Sequence, residues 1–236
     1  MKILSVDSSS TVATCAVVSE NGVLGEFTLA NKREHSVILM ELIQDVLERC
    51  SLDINDIDGF VVSKGPGSFT GLRIGMATIK GLSFGSNKPY VSVSTLDALA
   101  YSVSHFDGII CPVMDALRDS VYTSIYKGHN CELEQIVEPT AMDLIDLAKF
   151  LNEKNEKVIF IGEGLEKHEA YLKEKVKNAY FAPKHLSLIR SASLGEMGLK
   201  LLEKGIYDDE NSSPLYIKKP QAERELEKRL GMSNEN

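Results

Sequence analysis

The chain has 236 residues, enough for one large domain or two small ones with an ample core. Apolar residues make up 43% and charged residues 25%, the balance of a globular chain rather than a disordered one. A net charge of −8 argues against unaided binding to nucleic acid, and no apolar run approaches the length of a membrane span.

Met1-Lys2 leads straight into a strand, with no leader pattern, so a cytoplasmic protein is expected. Cys15, Cys50, Cys111 and Cys131 are scattered and form no CxxC pair, which fits free thiols in a reducing compartment.

The chain opens with a strand, Ile3 to Val6, that ends at Asp7 and runs into the polar turn Ser8-Ser9-Ser10-Thr11. Thr14 to Val18 predicts a second strand, Asn21-Gly22 a hairpin turn, and Val23 to Leu29 a third strand. A helix from Ser36 to Cys50 and an apolar β-branched strand at Phe60 follow. Next comes Gly65-Pro66-Gly67-Ser68-Phe69-Thr70-Gly71-Leu72-Arg73-Ile74-Gly75, opening a helix that ends near Phe84. A strand at Tyr90 to Val93 and a helix from Thr95 complete the first half.

The second half repeats this order. A strand from Ile109 to Met114 ends at Asp115; Val121 to Tyr126 and Cys131 to Val137 flank a hairpin at Gly128-His129-Asn130. A helix from Met142 to Leu151, a strand from Val158 to Ile161, the loop Gly162-Glu163-Gly164, a helix to Lys177, a strand at Ala179 to Ala182 and a helix from Ser191 to Glu203 follow. Side-chain identity between the halves is low, so the pattern repeats rather than the sequence. The repeat predicts two α/β lobes, each a mixed sheet with helices, around a central cleft. The expected lobes are 1–104 and 105–207, with 208–236 as a tail that carries a short charged helix, Gln221 to Leu230.

The glycine loop lacks the Gly-Lys-Ser/Thr ending of a Walker A sequence, and Thr70 stands where a dinucleotide fingerprint needs glycine. It reads either as a cradle for an anion or another chain, or as a tight turn that brings its helix close to the sheet. Gly71, Gly75, Gly81 and Gly85 each cost roughly 1 kcal/mol of helix stability relative to alanine, which predicts close packing on another element. In the Ser36–Cys50 helix the apolar positions span about 200°, against the roughly 100° that one core needs. Both helices are thus candidates for a subunit interface, the alternative being deep burial within one lobe.

Asp7 and Asp115, with the serines after Asp7, read as a phosphate or hydrated-cation site, or simply as turn stabilisers. No histidine has a second one three or four residues away, so no HxxxH metal pair is present; His35 is assigned a structural or interface role. Ser68 reads as a helix cap, and no serine or cysteine sits in a nucleophile pattern.

Ile3 to Ser9, His35-Ser36 and above all the Gly65–Gly75 loop resemble the TsaB (YeaZ) family, as does Pro214-Leu215-Tyr216-Ile217-Lys218 near the end. The resemblance implies a duplicated actin-like fold of the sugar-kinase and Hsp70-type ATPase kind. It implies a non-catalytic partner of a TsaD-type transferase that makes N6-threonylcarbamoyladenosine at adenosine 37 of tRNA. A TsaE-type small ATPase would join the pair, tRNA would be reached through the complex, and no membrane is involved. The chain would form a homodimer when alone. It would have no cofactor of its own, with ATP and metal on the partner subunits. Met40, Ile43, Leu47, Arg73, Met76, Ile79 and Phe84 become the interface candidates, so a charge at Met76 or Ile79 is expected to abolish pairing without unfolding. Asp7, Ser9 and Asp115 would mark a vestigial nucleotide site. The lone His35, with Leu39 in the fifth place, departs from the transferase pattern, and Asp115-Ala116-Leu117-Arg118 departs from the family's usual Asp-Ala-Arg. The alternatives are a small-molecule phosphotransferase of the same fold, using Asp7 and Asp115 around Mg-ATP, and a homodimeric scaffold with another partner.

Overall fold

A computed structural model describes residues 1–30, 35–117 and 119–218, with side chains of the first helix from Ile38 onward. The readings of the His35 side chain, of Arg118 and of the charged segment Gln221–Leu230 fall outside the described part. In the first half, β1 (Lys2–Asp7), β2 (Ala13–Ser19) and β3 (Gly22–Leu29) form an antiparallel meander. Helix α1 (His35–Arg49) leads to β4 (Gly59–Gly65), and α2 (Phe69–Ser86) leads to β5 (Tyr90–Ser94). Both later strands run parallel to β1, giving the order β3-β2-β1-β4-β5.

After α3 (Thr95–Tyr101) the second half repeats the scheme with β6 (Gly108–Asp115), β7 (Ser120–His129) and β8 (Glu132–Asp143). Then come α4 (Leu144–Lys154), β9 (Val158–Ile161), α5 (Leu165–Lys175), β10 (Ala179–Phe181) and α6 (Ser191–Glu203). The second sheet has the order β10-β9-β6-β7-β8, the same topology strand for strand. The duplicated two-lobed α/β fold expected from the repeat is the fold of this chain.

Local boundaries differ where turn chemistry decides them. The second hairpin turns at Asn130 and Cys131, at φ 50° and 61°, one residue beyond the expected place. A tight two-residue hairpin needs positive φ at both central positions, and asparagine tolerates it well. In the first hairpin Ser19 pairs with Gly22, so Glu20 and Asn21 make the turn and Gly22 closes it at φ 111°. Strand β8 runs through Pro139 to Asp143, beyond the expected end at Val137. As an edge strand it can carry a residue without an N–H donor.

Alternation along the strands divides the first sheet between two cores. Leu4, Val6, Phe60 and Val62 pack under α1 and α2, with Leu39, Ile43, Val46, Met76 and Ile79. Ile3, Val18, Val61 and Val93 face the other way, against Leu194, Leu199 and Leu202 of α6. The last helix of the second half therefore covers the first sheet, where Arg190 pairs with Glu26 of β3. In exchange, Leu96, Leu99 and Ala100 of α3 pack with Ile110, Met114, Tyr126 and Ile161 of the second lobe. The Tyr126 hydroxyl donates to Asp97 of α3. Packing thus crosses the linear division at both ends.

Residues 206–218 return to the first lobe as a strap. The Asp208 amide donates to the Tyr90 carbonyl at 2.8 Å, and Lys80 donates to the carbonyls of Glu210 and Ser212 at 2.7 and 2.6 Å. The Leu215 amide donates to the Lys64 carbonyl at 2.6 Å, and Lys218 reaches the Ala116 carbonyl of the second lobe at 3.0 Å.

The glycines of α2 fall into two groups. A Cβ at Gly71 would lie 1.8 Å from the Ser8 carbonyl oxygen, whereas one at Gly81 or Gly85 would meet nothing within 4 Å. Gly71→Ala is therefore expected to lower the denaturant midpoint, because backbone must move to admit the methyl group. Gly81→Ala should raise stability by up to about 1 kcal/mol, the ordinary helix-propensity gain. Urea unfolding of the two variants checks both signs.

Candidate functional site

Two places carry the functional candidates: the cleft between the lobes and the outer face of α1 and α2. At the cleft, the glycine loop lies on the turn after β1. The Ser68 amide donates to the Ser9 carbonyl at 2.6 Å, and a Cβ at Gly67 would sit 2.3 Å from that same oxygen. The Ser68 hydroxyl accepts from the Gly71 amide at 3.2 Å, capping α2 as its sequence position suggests. Of the two readings of the loop, the geometry supports the tight turn. Its close backbone approach is spent on the chain's own Ser8-Ser9.

Asp7 is fully buried and accepts the Ser63 hydroxyl. Ser9 is also fully buried, its hydroxyl 3.4 Å from that of Thr95, while the Ser8 hydroxyl donates to the Gly71 carbonyl at 2.8 Å. Asp115 instead lies at the cleft, a space of about 1560 Å³ lined by Ser9, Thr11, Ser68, Tyr122, Glu163 and Lys167 among others. The two aspartates repeat in sequence but not in environment. Asp115 meets Nε2 of the buried His168 at 3.1 Å, Nζ of Lys167 at 3.4 Å and the Leu117 amide at 3.3 Å.

Burial pushes the Asp115 carboxyl up, but the hydrogen bonds from His168, Leu117 and Lys167 together outweigh it and hold it below its ordinary value. Glu163 goes the other way. Burial raises it first, and Asp7 and Asp115 add to the rise against hydrogen bonds from Thr11. His168, Lys167, Thr11 and Glu163 carry no local sequence signal of these pairings, because each partner lies on a distant part of the chain.

On α1 and α2 the interface candidates separate. Ile43, Leu47, Met76 and Ile79 are buried in the first lobe's own core. This corrects the expectation that a charge at Met76 or Ile79 leaves the fold intact: it would place an unpaired ion among apolar side chains. Met40, Arg73 and Phe84 are exposed, Met40 at 49% and Phe84 at 92%. The Arg73 guanidinium stacks on Phe69 at 3.9 Å, and its Nε donates to the Tyr216 hydroxyl at 3.0 Å. Phe69 and Tyr216 are themselves in ring contact at 4.8 Å, so Arg73 is held by the strap. The large apolar side chains that these two helices leave exposed are Met40 on α1 and Phe84 on α2, and Ala77, Gly81 and Gly85 of α2 are exposed as well.

A family model described as TsaD, tRNA N6-adenosine threonylcarbamoyltransferase, matches residues 21–226. The chain is 37% identical over 174 residues to the tRNA threonylcarbamoyladenosine biosynthesis protein TsaB of Bacillus subtilis, covering 74% of this chain and 76% of that protein. The chain belongs to the TsaB/YeaZ family. The Escherichia coli TsaB is 31% identical over 147 residues, 59% of this chain and 63% of its own length. A solved Pseudomonas aeruginosa structure, described as similar to peptidase YEAZ, shares the fold with a TM-score of 0.77 at 20% identity, over 92% of this chain and 99% of that one. The family resemblance carried by the Gly65–Gly75 loop is thus borne out. Among the described residues no helix is long and apolar enough to cross a membrane.

The Asp115 contacts make a pH prediction within this TsaB/YeaZ cleft. A carboxyl whose folded value is depressed adds stability above its unfolded value and loses it as pH falls through the folded one. The stability gap between wild type and Asp115→Asn should be full near neutrality and close as pH drops past the ordinary value of 3.8. Denaturant unfolding at several pH values reads this directly.

Proposed function

We propose that this chain serves threonylcarbamoyladenosine formation on tRNA as a non-catalytic subunit. It pairs with a TsaD-type transferase through the outer face of α1 and α2. The observation that carries this reading is Phe84: its residue is 92% exposed, next to Gly85 and three residues from Gly81, and a Cβ added at either glycine would meet nothing within 4 Å among the described residues. Interior helix glycines cost roughly 1 kcal/mol each, and no close packing among the described residues offsets Gly81 or Gly85. A helix backbone from a partner can approach closely there and cover the ring.

Membership of the family, and relatives named for threonylcarbamoyladenosine biosynthesis, support the pathway. The single His35, with Leu39 where a second metal ligand would stand, supports a subunit whose partner does the chemistry. ATP and metal then belong to the transferase and to a TsaE-type ATPase that joins the pair. With a net charge of −8, the chain reaches tRNA through the complex. Without the transferase, the same face serves a homodimer. The phosphotransferase alternative needs both aspartates at the cleft, and the burial of Asp7 against Ser63 does not favour it.

Two measurements test the reading. Purified TsaD-type and TsaE-type proteins, threonylcarbamoyl adenylate and tRNA should give modified adenosine only when this chain is added. Modification indifferent to the chain would overturn the role. Phe84→Asp should keep the wild-type melting temperature and lose transferase binding by at least about tenfold, as expected for a central aromatic anchor. Met76→Asp should instead melt well below wild type. If Phe84→Asp binds normally, the pairing face lies elsewhere.

A further inference from the structure

The loop Gly162-Glu163-Gly164 follows β9 just as the glycine loop follows β4, and it lines part of the second lobe's side of the cleft. Its backbone is held down from behind. The Gly164 amide donates to the Val113 carbonyl at 3.0 Å, and a Cβ at Gly162 would sit 2.4 Å from that oxygen. The Gly164 amide is thus spent inside the lobe. Glu163 is the loop's only side chain beyond hydrogen, and it crosses the cleft to the first lobe. Its Oε2 accepts the Thr11 hydroxyl at 3.3 Å, and the Thr11 amide also supports the carboxylate.

Thr11 ends the turn, in which the Ser8 hydroxyl donates its proton within the first lobe and the Ser9 and Ser10 hydroxyls act as acceptors. Ser8 donates to Gly71, Ser9 lies beside Thr95, and Ser10 accepts from the Val12 amide at 3.2 Å. A turn whose donors face open space is a natural seat for an anion. Here the donors at its tip face a carboxylate of the chain itself.

We propose that Glu163 is a built-in anion that occupies the Thr11 end of the cleft, excludes nucleotide phosphates from it and ties the lobes together without a ligand. A phosphate entering this position must displace the Glu163 carboxylate from Thr11 and then lie beside it. The nearby Asp115 carries a further negative charge, partly matched by Lys167. Like charges so placed disfavour a phosphate strongly. The inference concerns the cleft and is independent of the α1–α2 pairing face.

The test uses the full chain with Mg-ADP and, separately, inorganic phosphate, titrated by calorimetry into wild type, Glu163→Ala and Glu163→Gln. Wild type should show no binding of either up to millimolar concentration. Glu163→Ala should bind Mg-ADP at least about tenfold more tightly than wild type, and Glu163→Gln, which keeps the shape and loses the charge, should gain less. Circular dichroism confirms that each variant is folded, and Glu163→Gln serves alone if the alanine variant is not. Wild type binding as tightly as Glu163→Ala overturns the proposal. So does a folded pair of variants that bind neither probe, since the Thr11 turn would then be no anion seat.

Discussion

The contact on which the structure depends is backbone against backbone. The Gly67–Gly71 segment lies on the Ser8-Ser9 turn, with no room for a Cβ at either glycine. Ser68 completes it by donating its amide to Ser9 and capping α2 with its hydroxyl. This sets the axis of α2 relative to β1, and through it both places where function is read. One face of α2 buries Met76 and Ile79 under the sheet, leaving Phe84 outside. The loop residues just before it, Gly67 and Ser68, line the first lobe's side of the cleft together with Ser9, Ser10 and Thr11.

Around that contact the two halves are interlocked rather than side by side. Each sheet has a face that its own half does not fully cover, and α6 and α3 supply apolar side chains across the division. The strap adds further ties, with Lys80 holding two of its carbonyls and Tyr216 packed at a tilt on Phe69 while its hydroxyl accepts from Arg73. A molecule joined in this way has limited freedom to open its cleft, which fits a cleft whose facing groups bond to one another.

The acids at the cleft show how a repeated pattern takes on different work. Asp7 is buried with Ser63, while Asp115 stands open and is hydrogen-bonded by His168 and Lys167. Burial and neighbouring negative charge raise Glu163, and donors hold Asp115 down, so carboxyls on one cleft are set apart by surroundings rather than by type. On the α1–α2 face the same principle holds for apolar residues: Met76 and Phe84 lie on one helix, one in the core and one in solvent.

The sequence by itself determined the strands, the helices and their duplication. Period-two runs, interrupted helical stripes and Gly or Asn turns are local signals, and each needs only near neighbours to be satisfied. It also carried the family, through the Gly65–Gly75 loop. The broad apolar arc of α1 correctly marked a helix with much to bury, but helical periodicity marks burial and not accessibility. The family resemblance then nominated Ile43, Leu47, Met76 and Ile79 together with the exposed Met40, Arg73 and Phe84. Only the tertiary structure separated them, because Ile43, Leu47, Met76 and Ile79 join the sheet in one core while Met40 and Phe84 stay exposed. The same holds for Asp7 with Ser63, Asp115 with His168 and Thr11 with Glu163. These are contacts between residues far apart in the chain, and no local pattern encodes which distant group will arrive.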